Sequence, residues 1–245
     1  MPGSPVRVAL RPIADLDPSE WAEIRDFGAR YFEGDLVASI QTKREVVQLR
    51  GAGGRLVGIG AIDMFDVVHA QRTVTIIHGA NAAFVDETRG QGYVHRVAFR
   101  YFLRAKRAHP RRPVYAAFST HSWRSYLSLA RSFRRFWPHR AVTLPAWEAG
   151  LYAQVGVRLD GDLFDPATGV AHRAAGRRLR PDVAEIPARL ADDPDIRFFL
   201  ARNAGHASGD GLLCLVPLTP ANWVAAMRRI VWRRRRRPGT GKPGR

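Results

Sequence analysis

The chain carries a single cysteine, Cys214, in 245 residues. That excludes an intramolecular disulfide and any cysteine-rich metal site. No apolar run approaches the roughly 20 residues needed to cross a bilayer. The opening MPGSPVRVALRPI lacks a long apolar core, so no secretory leader is expected and the chain reads as cytoplasmic. Motifs are missing too. There is no Gly-x-Ser-x-Gly elbow, no His-Glu-x-x-His pair and no Gly-x-x-x-x-Gly-Lys-Ser/Thr loop. Serine-hydrolase, zinc-protease and P-loop chemistry are therefore not indicated, and no metal is expected. Cys214 lies inside an apolar run, which is not the setting of a reactive thiolate. Acids are scarce: Lys and Arg number 39 against 22 for Asp and Glu, a formal charge of +17. Lysine is scarcer still, with only Lys43, Lys106 and Lys242, so the positive field is an arginine field suited to polyanions.

What is present is enough apolar material for a sizeable core, at 46% of residues. The chain is organised around Phe84 to Arg104, FVDETRGQGYVHRVAFRYFLR. An apolar run leads into the tight polar turn Arg89-Gly90-Gln91-Gly92. A helix follows at once, with Val94, Val97, Ala98, Tyr101 and Phe102 at helical spacing. Glycines permit positive φ and close approach, and the first amides of a helix point outward without internal acceptors. Strand, glycine turn and helix start together make an anion site, so phosphate or pyrophosphate is expected on the backbone of Arg89, Gly90, Gln91, Gly92 and Tyr93, the alternative being an ordinary strand-to-helix turn with no ligand.

In chain order, Val6 to Leu10 reads as a strand. Asp17-Pro18-Ser19-Glu20 is a capping box opening a helix through Trp21, Ile24, Phe27 and Tyr31, ended by Gly34. A short helix over Leu36 to Thr42 is weakly signalled. Three strands follow: Glu45 to Arg50, Arg55 to Phe65 and Arg72 to Val85, the last interrupted by Gly79 and Asn81, where a bulge or a close approach by another backbone is expected. The helix after Gly92 ends near Ala108, before Pro110. Val114 to Phe118 is a strand, and a helix carrying Tyr126, Leu127, Leu129 and Ala130 follows Ser122. Pro145 to Val155 can be helical. Ile196 to Ala201 reads as a strand, forming a hairpin with the strong strand Leu212 to Leu218, although Asp193-Pro194 could equally start a helix there. The last element begins at Thr219-Pro220 and carries an apolar stripe, Trp223, Val224, Met227, Ile230 and Val231, beside arginines.

The run Arg89-Gly90-Gln91-Gly92 after an apolar strand resembles the acyl-CoA pyrophosphate loop of the GNAT (Gcn5-related N-acetyltransferase) superfamily, whose pattern is Arg/Gln-x-x-Gly-x-Gly/Ala. Arg89 and Gly92 match; Val94 stands where the family has Gly or Ala. The resemblance implies an α/β (α+β) fold with a mixed, mostly antiparallel central sheet flanked by helices. It implies an acyl-CoA or acyl-pantetheine donor and an amine acceptor. By the same resemblance a tyrosine on the second helix protonates the leaving thiolate. Tyr126 is the tyrosine there, but it lies earlier than the usual position, held here by Leu129, and can equally be a core aromatic. His78, on the bulged strand, is best placed as base, or is simply a hydrogen-bonded strand histidine; Asp63, Asp66, Glu87 and His121 are further candidates. His95, on the helix after the turn, could contact phosphate. The bulky Val94, the long excursion before Asp195 and the basic surface point to a longer acyl chain or an acidic acyl carrier protein as donor, as in the similar N-acyl amino acid and acyl-homoserine-lactone synthases.

One acyltransferase domain is expected over residues 1–220, with 141–195 as an insertion or lid, and 221–245 as a basic helix and tail. Arg233, Arg234, Arg235, Arg236 and Arg237 could meet an anionic membrane or nucleic acid. A non-catalytic protein of the same fold that binds a polyanion is the alternative.

Overall fold

The computed structural model describes residues 6–173 and 178–236, with the side chains of 233–236 left out. Its elements are β1 (Arg7–Pro12), α1 (Pro18–Gly28), β2 (Phe32–Glu33), α2 (Leu36–Gln41), β3 (Glu45–Arg50), β4 (Leu56–His69), β5 (Arg72–Phe84), α3 (Tyr93–Ala108), β6 (Val114–Thr120), α4 (Trp123–Ser132) and α5 (Ala146–Asp160). Then come β7 (Phe164–Asp165), β8 (Val170–Ala171), β9 (Arg178–Leu179), α6 (Pro181–Ala184), α7 (Pro194–Arg202), β10 (Gly211–Pro217) and α8 (Pro220–Arg236). Eight strands form one sheet in the order β1-β3-β4-β5-β6-β10-β8-β7, and β2 pairs with β9. Within the large sheet every pair is antiparallel except β5 with β6. The expected mixed, mostly antiparallel sheet flanked by helices is the observed architecture.

Side chains alternate across a strand, so the sheet has two apolar faces. On one, Ile77, Ala116, Cys214 and Val216 pack with α3, α4, α7 and α8. On the other, Val46, Ile59 and Ala83 pack with α1 and α2, while Ile76, Ala117 and Leu215 pack with α5.

Local chemistry explains the boundaries. Asp17 accepts from the amides of Ser19 and Glu20, and Glu20 returns to the Asp17 amide, closing the capping box of α1. That helix stops at Gly28 rather than running to Tyr31, because Leu36 of α2 packs against Gly28 and Phe32 pairs in β2. β4 and β5 extend to His69 and from Arg72, joined by Ala70 and Gln71 with φ of 45° and 61°. This two-residue turn suits the strand twist without the usual glycine. The bulge falls at Asn81 and Ala82: Ala80 pairs with Ala61 and Ala83 with Ile59. Gly79 serves another purpose, leaving room for the Phe118 ring beside it.

The strand expected over Ile196 to Ala201 is a helix. Asp193 caps α7 by accepting from the amides of Asp195 and Ile196, Pro194 takes the first position, and Ile196 and Phe199 enter the core three residues apart. The hairpin with β10 is accordingly absent; β10 lies between β6 and β8. Among the described residues no helix is long and apolar enough to cross a membrane.

Candidate functional site

β5 and β6 are paired from Thr75↔Val114 to Gly79↔Phe118, and there their pairing ends. Beyond it, the last part of β5 stays with β4 while β6 stays with β10. The sheet divides at this point, and the glycine turn and a polar cluster are built around the division.

The turn is held by its own side chains. Thr88, buried, donates from Oγ1 to the Val85 carbonyl at 2.9 Å. Arg89 donates from Nε to the Phe84 carbonyl at 3.0 Å and pairs with Asp86. Gln91 donates to the Glu87 carbonyl at 2.6 Å and accepts from the Tyr93 hydroxyl at 3.2 Å. These contacts tie strand end to helix start, so what the turn offers a ligand is backbone. Gly90 and Gly92 have φ of 74° and 79°, which side chains seldom adopt. Gly92 caps α3 with no side chain, and the amides of Tyr93 and Val94 have no acceptor within the helix. This is the geometry of an anion site.

That site is covered. Ile230 of α8 packs on Gly92: a Cβ there would lie 3.1 Å from Ile230 Cδ1. Gly90, Gly92, His95, Ser128, Arg229 and Ile230 are among the groups enclosing a cavity of about 60 Å³. Val94, 43% exposed, lines its rim. The long-range approach of α8 to the turn had no signal in the sequence.

On the opposite face, at the same division, lies a cluster that sequence reasoning named only through His78 and His121. His78 is 5% exposed and its Nδ1 has no hydrogen-bond partner among the described residues. Burial, with the charges of Lys43 and Arg173 behind it, pushes its pKa down to about 3, so its imidazole is neutral. Arg173 donates to His121 Nε2 at 2.9 Å, which puts the His121 proton on Nδ1, facing the Gly209 carbonyl at 2.9 Å. Arg173 also pairs with the buried Asp160 carboxylate, toward which Ser119 Oγ lies at 3.4 Å. Asp160 and Arg173 come from segments far from the turn motif, and neither sits in a pattern that marks it.

The structure does not bring Tyr126 to the turn. It is fully buried among Phe136, Phe198 and Phe199, its hydroxyl donates to the Pro138 carbonyl at 3.0 Å, and burial raises its pKa well above the usual phenol range. Asp66 is engaged with Thr75 at 2.7 Å and with Arg112, and Asp63 pairs with Arg44 at 3.3 Å. Cys214 is buried in β10, its thiol pushed up to about 12 by burial. Arg237 lies outside the described residues, as do the side chains of Arg233 to Arg236. Among the described residues no three His, Cys, Asp or Glu side chains are placed to hold a metal ion.

No protein-family model matches the chain, and no curated protein matches it in sequence. Among solved structures it is similar to a conserved protein of unknown function from Enterococcus faecalis described as a probable N-acyltransferase. The identity is 14% and the TM-score 0.35, over 53% of this chain and 33% of that one. It is similar to an acyl-CoA N-acyltransferase from Pseudomonas aeruginosa at 18% identity and a TM-score of 0.33, over 46% of this chain and 79% of that one. It is also similar to a GNAT-family N-acetyltransferase from Escherichia coli solved with CoA, at 16% identity and a TM-score of 0.34, over 48% of this chain and 64% of that one. The chain thus spans only a third of the first of these proteins and just under two thirds of the last, and in each case the similarity covers about half of this chain.

Proposed function

We propose that the chain is a GNAT-like N-acyltransferase that takes an acyl group from a pantetheine thioester and gives it to an amine. The observation that carries this reading is the uncapped start of α3 behind two positive-φ glycines, set where the parallel strands β5 and β6 part. Backbone amides there suit the pyrophosphate of CoA, or the single phosphate of a carrier-bound pantetheine. In the reaction the amine nitrogen forms a bond to the thioester carbonyl carbon, the carbon–sulfur bond breaks, and the amine proton passes to a base while the thiolate takes one up. His78 is the candidate acceptor for the amine N–H: it is neutral, and its buried Nδ1, without a partner among the described residues, accepts in the tautomer that carries the proton on Nε2. With a pKa near 3 it orients the amine more readily than it carries the proton away. An acidic carrier protein is the donor partner favoured by the +17 charge, and a small-molecule amine is the acceptor.

One observation favours the alternative, a non-catalytic protein of this fold that binds a polyanion. The cavity of about 60 Å³ at the turn is far below the ~300–1,000 Å³ of ligand pockets. Movement of α8 away from Gly92 would enlarge the space for a donor.

The test is Val94→Glu. A carboxylate in the first turn of α3 stabilises the helix by about 0.3–1 kcal/mol yet opposes a phosphate at the same place. Calorimetric titration with CoA should show at least tenfold weaker binding by the variant, with an unchanged or raised melting temperature. Thiol release from acetyl- and palmitoyl-CoA over a panel of amines then separates an enzyme from a binding protein. Equal CoA affinity in both proteins would remove the donor site from the turn.

A further inference from the structure

The acids of this chain are segregated. None lies between Thr88 and Trp147, and none lies from Gly211 to the end. Those two stretches build α3, α4 and α8, which pack together on one face of the sheet. The acids that meet the layer come from neighbouring segments and are paired there: Asp193 and Asp195 at the start of α7 with Arg131 and Arg140, and Glu45 of β3 with Arg104. The layer therefore shows the solvent arginines such as the exposed Arg96, Arg100 and Arg228, with no acid on α3, α4 or α8 to balance them.

The same layer exposes apolar surface. Among the described residues nine large apolar side chains are exposed, and six of them are on α3 or α8. Val224, Met227 and Val231 form a stripe at helical spacing along the outer side of α8, with Trp232 at its end. The inner side of α8 is separately satisfied by Trp223, Ala226 and Ile230. Phe99 of α3 meets Trp223 edge-on at 5.0 Å, so the exposed patch runs across both helices. These six side chains are 43–54% exposed.

We infer that the outer face of α8, continued by Phe99 of α3, is a docking surface for an anionic lipid membrane. Arginines matched to lipid phosphates, beside an apolar stripe that ends in a tryptophan, are what an interfacial helix requires. Nucleic acid would satisfy the arginines and leave Val224, Met227 and Val231 facing water. The inference is independent of the acyltransferase reading.

Co-sedimentation of the full chain with vesicles tests it. Binding to equimolar phosphatidylglycerol and phosphatidylcholine should be at least tenfold tighter than to phosphatidylcholine alone. The double variant Met227→Glu, Val231→Glu should lose at least tenfold of that affinity while keeping the parent melting temperature. Val68→Glu, an apolar position 65% exposed near the end of β4, should bind as the parent does. Three results would each overturn the inference: no binding to anionic vesicles, binding that ignores the α8 double variant, or tighter binding to duplex DNA or RNA than to vesicles with the double variant unaffected.

Discussion

Removing the side chain of Ile230 should weaken the protein and strengthen its hold on CoA. Ile230 is 9% exposed, and three of its carbons lie 3.1–3.3 Å from where a Gly92 Cβ would be. Truncating a buried isoleucine to alanine costs about 2–5 kcal/mol. The low end, about 2 kcal/mol, is apt for a side chain at the edge of the core. If a donor phosphate can reach the turn only when α8 has moved, that loss is charged to the covered state alone. Apparent affinity for a ligand of the open state then rises by up to the same free energy, at most about 30-fold at 1.4 kcal/mol per decade. Titration calorimetry of CoA with the parent and Ile230→Ala measures the gain, and urea unfolding measures the loss. A variant that is less stable by that amount but binds CoA no better would refute the view of α8 as a cover.

Gly92→Ala should destabilise by about 1–2 kcal/mol, because φ is 79° and the new methyl meets Ile230; an unchanged denaturation midpoint would contradict this. The pKa of His78 is lowered in the fold, so the unfolded chain binds the proton first as pH falls. Stability due to this group is full above about pH 6.5 and declines toward pH 3, by up to about 1.4 kcal/mol per unit. Unfolding free energies of parent minus His78→Gln, followed over that window, should carry the slope, and a flat difference removes it. Asp160→Asn leaves Arg173 without its carboxylate and should cost up to about 3 kcal/mol, the low end for a buried pair because Arg173 is 23% exposed; Arg173→Met in the same molecule should restore most of it. Additive losses in the double variant would show that the two are not coupled.

Elements whose signals are local were readable before the fold was known. Asp17, Pro18 and Glu20 mark the start of α1 by chemistry confined to one helical turn. Gly90 and Gly92 mark the loop because their φ values exclude most other residues. Where two local signals competed, the sequence could not arbitrate. Ile196 to Ala201 is an apolar run short enough for a strand, and its helix is decided by the Asp193 cap and by burial against α4. The Ala70-Gln71 turn lacked a glycine to announce it. The polar cluster was least legible, since Ser119, His121, Asp160 and Arg173 are brought together by the ends of β6, α5 and β8 and by no spacing along the chain. The cover on the turn was hidden in the same way: Gly92 and Ile230 meet only through packing of the last helix.

An uneven distribution of acids gives the molecule a permanent electric asymmetry, with the α3–α4–α8 layer as its positive end. Fields at a charged surface decay over about 8–10 Å at physiological salt. Within that distance the chain experiences a torque as well as an attraction. Any anionic partner would then meet the chain already turned, with the arginine layer leading. Orientation is then set before contact, and the fraction of encounters that succeed, not only the lifetime of the complex, becomes a function of ionic strength.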